Sequence, residues 1–245
     1  RGEFTMRNGL TVKNTQALSW IERGPNNIAG RVRAFGIDVR TGNQPTLLAG
    51  GASGGMWKST DGGTNWSLRT VVSDLHSVTC LAQDTRAGQE DIWYYGTGEN
   101  IGGSPSGEGA PYFGNGVYKS EDNGNTWTKL ASTNVINNTQ FNSDWQYIFN
   151  IAVHPTTGSV YAATTGGVYR SADGGANWNL VEAPGNVNTL RTDVTIAKDG
   201  TIYYTAGSNA GAISGVRKST DDGTSWSSAS PALPTTYGRS IVKTA

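Results

Sequence analysis

One eight-residue phrase, Ser-x-Asp-x-Gly-x-x-Trp, occurs four times in a chain of 245 residues. The copies run from Ser59 through Asp61 and Gly63 to Trp66, from Ser120 through Asp122 and Gly124 to Trp127, from Ser171 through Asp173 and Gly175 to Trp178, and from Ser219 through Asp221 and Gly223 to Trp226. A period of roughly fifty residues marks repeated supersecondary units that bury their faces against one another. Ahead of each copy stands a short run: Gly55-Met56-Trp57-Lys58, Gly116-Val117-Tyr118-Lys119, Gly167-Val168-Tyr169-Arg170 or Gly215-Val216-Arg217-Lys218. Apolar or aromatic residues alternate there with a basic one, which is the period of a half-buried strand. The Asp-x-Gly centre predicts a turn, in which the carboxylate accepts backbone N–H bonds about two residues on and glycine takes a positive φ. The Trp then opens the returning strand and anchors the hairpin to a neighbour.

Composition agrees with an all-β chain. Glycine is abundant at 34 residues, charged residues make up 16%, and no segment sustains helical periodicity. Nineteen basic residues balance nineteen acidic ones, so the electrostatic footprint of a nucleic-acid or anionic-membrane binder is missing. No apolar run approaches the length of a membrane-spanning helix. Cys80 is the one cysteine and reads as a small buried strand residue. His76 and His154 are the two histidines, so neither a zinc cluster nor a Cys-His nucleophile pair finds local support. No metal or cofactor is expected. Scarce charge with much Asn, Thr, Ser and Gly suits a secreted or cell-surface bacterial protein. Asn65-Trp66-Ser67 and Asn137-Asn138-Thr139 match the glycosylation sequon, a pattern that is common by chance.

The four phrases resemble the Asp-box, or BNR, repeat of sialidase-like and sortilin-like β-propellers. The resemblance covers about residues 20–245, and the Trp20…Gly24-Pro25-Asn26-Asn27…Gly30-Arg31-Val32 opening is similar to the first blade of sortilin-like propellers in secreted bacterial proteins. It implies four-stranded antiparallel blades, each with its box as a structural turn joining the third and fourth strands, away from the ligand face. Residues 1–19 are set apart as an N-terminal extension. The blades then fall at about 20–75, 76–135, 136–186 and 187–230, and Gly238-Arg239-Ser240-Ile241-Val242-Lys243 reads as the first strand of a further blade. Three arrangements fit that inventory: part of a larger ring, a closed four-bladed ring, or two open halves completing one another. The first is adopted, because an open end exposes an unpaired strand edge that proteins normally cover.

Loops feeding the innermost strands line the central ligand face of a propeller. On that strand order Arg31, His76, Trp145, Tyr147, Arg191 and Arg239 are the candidate ligand-binding residues. Guanidinium groups suit bidentate recognition of a carboxylate, although the arginines also have the alternative of pairing with acids of the chain. The stretch from Glu99 to Asn115 is an insertion rich in Gly, Ser and Pro; its acids, Glu99 and Glu108, make a poor metal site. His154, at a strand exit before Pro155, is expected at the surface.

No catalytic residue is assigned. The sialidases of this repeat family hold a substrate carboxylate with three arginines and attack with a Tyr activated by Glu, and no such pair is identifiable here. Related xyloglucanases use two aspartates across a cleft, one as acid and one as base. Their first-blade aspartate precedes a Gly-Gly-aromatic strand, and the matching stretch here is Ala52-Ser53-Gly54-Gly55-Met56-Trp57, without a carboxylate. The expected function is therefore a non-catalytic binding or scaffold propeller whose central face takes a protein segment or a glycan. The alternative is the propeller portion of a glycoside hydrolase of xyloglucanase-like or sialidase-like type.

Overall fold

The computed structural model describes residues 4–5, 11–12, 31–40, 42, 44–71, 77–100, 112–135, 140–183, 192–206 and 215–229. Strands β1 (Phe4–Thr5) and β2 (Thr11–Val12) form a small antiparallel pair. The rest is four antiparallel four-stranded sheets, each made of four consecutive strands in chain order. The first holds β3 (Val32–Ile37), β4 (Leu47–Gly51), β5 (Gly55–Ser59) and β6 (Ser67–Leu68). In the second are β7 (Val78–Gln83), β8 (Trp93–Thr97), β9 (Val117–Ser120) and β10 (Thr128–Lys129). The third comprises β11 (Ile148–Val153), β12 (Val160–Thr164), β13 (Gly167–Ser171) and β14 (Asn179–Glu182). The fourth comprises β15 (Thr192–Ile196), β16 (Ile202–Ala206), β17 (Gly215–Ser219) and β18 (Ser227–Ser228). Two single-turn 3-10 helices, Ala131–Thr133 and Asp144–Gln146, lie between the second and third sheets.

Period-2 alternation sends neighbouring side chains of a strand to opposite faces, and here both faces of the middle sheets are covered. Trp93 and Tyr95 of β8 pack with Leu48 and Met56 of the first sheet, while Tyr94, between them, packs with Ile148, Val160 and Ala162 of the third. Likewise Tyr161 and Ala163 of β12 pack with Val194, Ile202 and Tyr204 of the fourth sheet, and Ala162 faces the second. Three apolar clusters thus fill the three junctions between consecutive sheets. Glycines set how closely the sheets approach: a Cβ on Gly50 would sit 2.4 Å from Val78, and one on Gly96 2.5 Å from Ile148. The innermost strands β3, β7 and β11 each carry a register shift near their start, a bulge that re-aims side chains at the strand mouth.

The four phrases fold alike. The Ser59 hydroxyl donates to Asp61 Oδ1 at 2.8 Å and accepts from Gly63 N at 2.8 Å, and the other three copies repeat both bonds within 0.1 Å. The carboxylate reaches further than the expected two residues. Asp61, Asp122, Asp173 and Asp221 each accept the backbone N–H four positions on, from Asn65, Thr126, Asn177 and Ser225. The serine already occupies the near donors, and the left-handed fourth residue (Gly62, Asn123, Gly174, Asp222) folds the later N–H groups back toward the aspartate. These bonds hold Asp61, Asp173 and Asp221 at a pKa of about 2: the backbone N–H of Asn65 leads for Asp61, and the side chains of Asn177 and Ser225 lead for the other two.

His154 departs from its expected surface position: it is buried. Its Nδ1 accepts the backbone N–H groups of Thr156 and Thr157 at 3.1 and 3.2 Å, and its ring lies under Gly200 of the fourth sheet. The first two sheets end their innermost strands with a buried aspartate instead. Asp38 binds Arg40, and Asp84 binds Arg86, each two residues on. Cys80 is buried as expected, and burial raises its thiol to about 12. Of the 1–19 extension the described residues are those of the β1–β2 pair, and the opening from Trp20 to Gly30 and the Gly238–Lys243 strand lie outside the described residues.

Candidate functional site

In an antiparallel four-stranded sheet the links between second and third strands, and the entry to the first strand, lie at the end opposite the Ser-x-Asp turns. The sequence places its longest insertion at that end, between β8 and β9. After β8, Gly98 takes φ 95° and donates to Ser77 O at 3.0 Å. Glu99 then pairs with Tyr112 through two backbone bonds of 2.8 Å, closing the base of the insertion. Beyond Tyr112, Gly114 N donates to Gln146 O at 2.8 Å and Gly116 N to Trp145 O at 3.2 Å. The insertion base is thus tied to the 3-10 turn that feeds β11. That turn is itself braced: Ser143 caps Trp145 N, and the buried Gln146 side chain accepts from Asn142 N and Ser143 N. A Cβ on Gly98 would stand 1.8 Å from Gln146 O, so only glycine permits this approach.

Glu99 carries the charge chemistry of this end. Its side chain is 1% exposed and accepts from two guanidiniums, Arg31 at the entry to β3 and Arg33 at the bulge of that strand, the latter at 2.5 Å. Burying a lone carboxylate is costly, and two cationic donors offset that cost. The guanidiniums face solvent more than their partner does, at 44% and 24% exposure. Two cations on one carboxylate leave this assembly, taken by itself, with one positive charge in surplus. Further round, Asn150 of β11 donates to Asp193 Oδ1 of β15 at 2.7 Å, and Val194 N donates to the same oxygen at 3.0 Å.

Aromatic side chains gather at the same end of the sheets. Tyr147 is buried, with Phe113 and Phe141 each 5.6 Å from its ring and Phe141 stacked at 14°. Phe141 and Tyr112 stay nearly half exposed. Trp145 turns the other way and packs on Tyr169 at 4.8 Å and on Trp178 at 5.1 Å, in the junction between the second and third sheets.

Of the candidates named from the sequence, the structure therefore places Arg31 at the mouth, Tyr147 beneath the aromatic ledge and Trp145 in a junction between sheets. His76, Arg191 and Arg239 lie outside the described residues. Arg33, Tyr112 and Phe141 went unnamed, and Glu99 figured only as a loop acid. Arg33 had a signal, since positions two apart on a strand share a face with Arg31. Glu99 lies 68 residues from Arg31, and nothing local announces the pairing. Among the described residues no cluster of three His, Cys, Asp or Glu side chains is disposed to hold a metal ion, and no helix is long and apolar enough to cross a membrane.

Comparison with solved structures decides what the stack of sheets is. An ancestral GH74 enzyme superposes with a TM-score of 0.56 at 18% identity, over 82% of this chain and 26% of that one. The sheets are blades of a β-propeller. The GH74 enzyme of Niastella koreensis gives a TM-score of 0.52 at 21% identity, covering 80% of this chain and 29% of its own. The extracellular domain of a hybrid two-component system from B. thetaiotaomicron gives 0.53 at 11% identity, covering 84% and 25%. The chain thus spans between 25% and 29% of the length of these three propeller proteins. At such identities the likeness concerns the fold. No family model matches the chain, and no curated protein matches it.

Proposed function

We propose that these blades form a non-catalytic binding surface of a secreted or cell-surface bacterial protein, and that the central end takes a protein segment or glycan bearing a carboxylate. One observation carries the reading: the Arg31–Glu99–Arg33 assembly, in which a buried acid, whose backbone pairs with that of the exposed Tyr112, holds two partly exposed guanidiniums. Glu99 fixes the guanidiniums before any ligand arrives, so little side-chain entropy remains to be lost on binding. Tyr112 and Phe141 supply flat apolar faces for the rest of the ligand. Arg191 and Arg239 belong to the same proposal through their place before innermost strands, and the four Asp-boxes serve it as scaffold.

The glycoside-hydrolase reading draws on the fold likeness to GH74 enzymes. It requires a free acid and a free base facing each other across a cleft. Against it, Glu99 is engaged by two arginines, Asp193 Oδ1 takes two hydrogen bonds, and Ala52 and Ser53 stand where a related enzyme carries an aspartate.

The test is a binding screen of acidic peptides and uronate- or sialate-bearing glycans against the wild-type chain and the Arg31→Ala/Arg33→Ala pair, with xyloglucan and sialoside hydrolysis assayed in parallel. Loss of charge-assisted bonds should weaken the best ligand about 10- to 100-fold. Turnover of either substrate, or undiminished affinity in the double variant, overturns the reading.

A further inference from the structure

Each Ser-x-Asp turn of blades 2 to 4 rests on the blade before it, and the seat has the same two parts each time. The first is the second residue of the receiving blade's second strand. The other is its cross-strand partner, the basic residue immediately ahead of that blade's own motif serine. These pairs are Leu48 with Lys58, Tyr94 with Lys119 and Tyr161 with Arg170. Blade 2 sits on the first pair: Lys58 Nζ donates to Asn123 O at 2.7 Å and to Asn125 Oδ1 at 3.1 Å, and Gly124 lies against Leu48. Blade 3 uses the second, where Gly174 faces Lys119 Nζ and the Tyr94 hydroxyl, each 3.5 Å from where a Cβ would stand. Blade 4 occupies the third. Asp222 accepts from the Tyr161 hydroxyl at 2.6 Å, from Ser159 Oγ at 2.9 Å and from Arg170.

Blade 4 carries a fourth such pair, Tyr203 on β16 opposite Lys218 on β17. Lys58, on the first seat, is buried, and burial depresses its pKa. Lys218, at the equivalent place, is exposed, and Tyr203 is partly exposed where Tyr94 and Tyr161 are buried. No described residue fills this fourth seat. At the other end of the stack the complementary parts are bare. Phe35 and Ile37 of blade 1 are each 56% exposed, although the residue in line with Phe35 in blade 2, Leu81, packs against blade 1. A Cβ on Gly62, in the turn of blade 1, would meet no described atom within 4 Å.

We propose that Tyr203 and Lys218 form a seat for the Ser-x-Asp turn of another propeller blade, and that this seat prefers an aspartate in the left-handed fourth position to the glycine that the Tyr94–Lys119 seat takes. The argument is continuity with three occupied seats and charge complementarity. An exposed ammonium beside a phenol offers the donors that Arg170 and Tyr161 give to Asp222. A turn carrying a carboxylate there binds more tightly than one carrying glycine, because a carboxylate accepts both donors at once.

The probe is a second, labelled copy of the chain carrying Gly62→Asp, which makes the turn of blade 1 read Ser-Thr-Asp-Asp-Gly-Thr, as the turn of blade 4 does. Aspartate is tolerated in the left-handed region, and near-ultraviolet circular dichroism checks that the probe folds. Sedimentation velocity and fluorescence anisotropy should show the probe binding unlabelled wild-type chain, with affinity falling as salt rises. Lys218→Glu in the unlabelled partner should weaken binding at least tenfold, and Tyr203→Phe severalfold. Wild-type probe should bind more weakly than Gly62→Asp. Failure of the Gly62→Asp probe to associate, or association indifferent to Lys218→Glu and Tyr203→Phe, overturns the proposal.

Discussion

Blade 4 reaches blade 3 through a carboxylate, whereas blade 3 reaches blade 2 through peptide carbonyls. At the first of these junctions Asp222 gathers the Tyr161 hydroxyl, Ser159 and Arg170. At the second, Gly174 O accepts a long 3.4 Å bond from the Tyr94 hydroxyl, and Ser132 Oγ donates to Gly175 O at 2.5 Å. Lys119, facing Gly174 rather than an aspartate at that position, turns to Glu121 of its own blade. The turn backbone is the same in both, since residues 174 and 222 have φ of 70° and 54°. One position therefore chooses between two economies: glycine adopts the left-handed region without strain and leaves the latch to carbonyls, while aspartate accepts some strain and gains three donors.

The comparison can be broken most forcefully at Asp222. Asp222→Ala strips the acceptor from Arg170 and Tyr161, and leaves these two donors part-buried without it. A fully buried pair loses about 3–5 kcal/mol when halved. With exposures of 26% and 21% for Arg170 and Asp222, screening reduces this to about 2–3 kcal/mol. Urea unfolding should read that loss, and a loss near zero would show that the latch adds nothing to the apolar cluster beside it. Gly174→Asp asks the converse. It places a carboxylate beside Lys119 and Tyr94, in a conformation that aspartate already adopts at position 222, and should stabilise the chain by up to about 1 kcal/mol. Destabilisation would mean that the two junctions are not interchangeable.

The smallest expected effect is acid sensitivity. Asp61, Asp173 and Asp221 stand at about 2, below the ordinary 3.8, because their own turns donate to the charged form. A depressed carboxylate stabilises the fold above its unfolded pKa and loses that contribution as pH falls through the folded one. The turns should therefore hold above pH 4 and loosen between about pH 4 and 2. Burial pushes the Asp222 carboxyl up, and bonds from Arg170, Tyr161 and Ser159 outweigh it and lower the pKa. Hydrogen exchange followed down this range should open the amides of Asn65, Asn177 and Ser225, and should loosen the junction of blades 3 and 4 before that of blades 2 and 3. Equal opening of the two junctions would count against a carboxylate-specific latch.

The blades were readable because their signals are local. A serine, an aspartate and a glycine within five residues close their own turn, and the alternation in Trp93-Tyr94-Tyr95 speaks for a strand buried on both sides. The second recurring device was equally local and still passed over: Asp38-Val39-Arg40 and Asp84-Thr85-Arg86 close the first hairpins of blades 1 and 2. His154 was misplaced because a proline after it signals a strand exit. What sequence alone does not show is that the exit tucks under Gly200 of the next blade. The mouth was the least legible part. Glu99 meets Arg31 and Arg33 across more than sixty residues, and such a pairing follows from ring geometry, which no local pattern encodes.

Trp93, Tyr94 and Tyr95 each belong to one cluster, yet they share a single strand, so β8 serves two clusters at once. A strand shared in this way ties the fate of each blade to both neighbours and leaves no internal unit that can melt in isolation. Loss of order in one blade should therefore pass to its neighbours one unit at a time, as in an array with nearest-neighbour coupling. The aromatic triplet is the point where such a front would meet its steepest resistance.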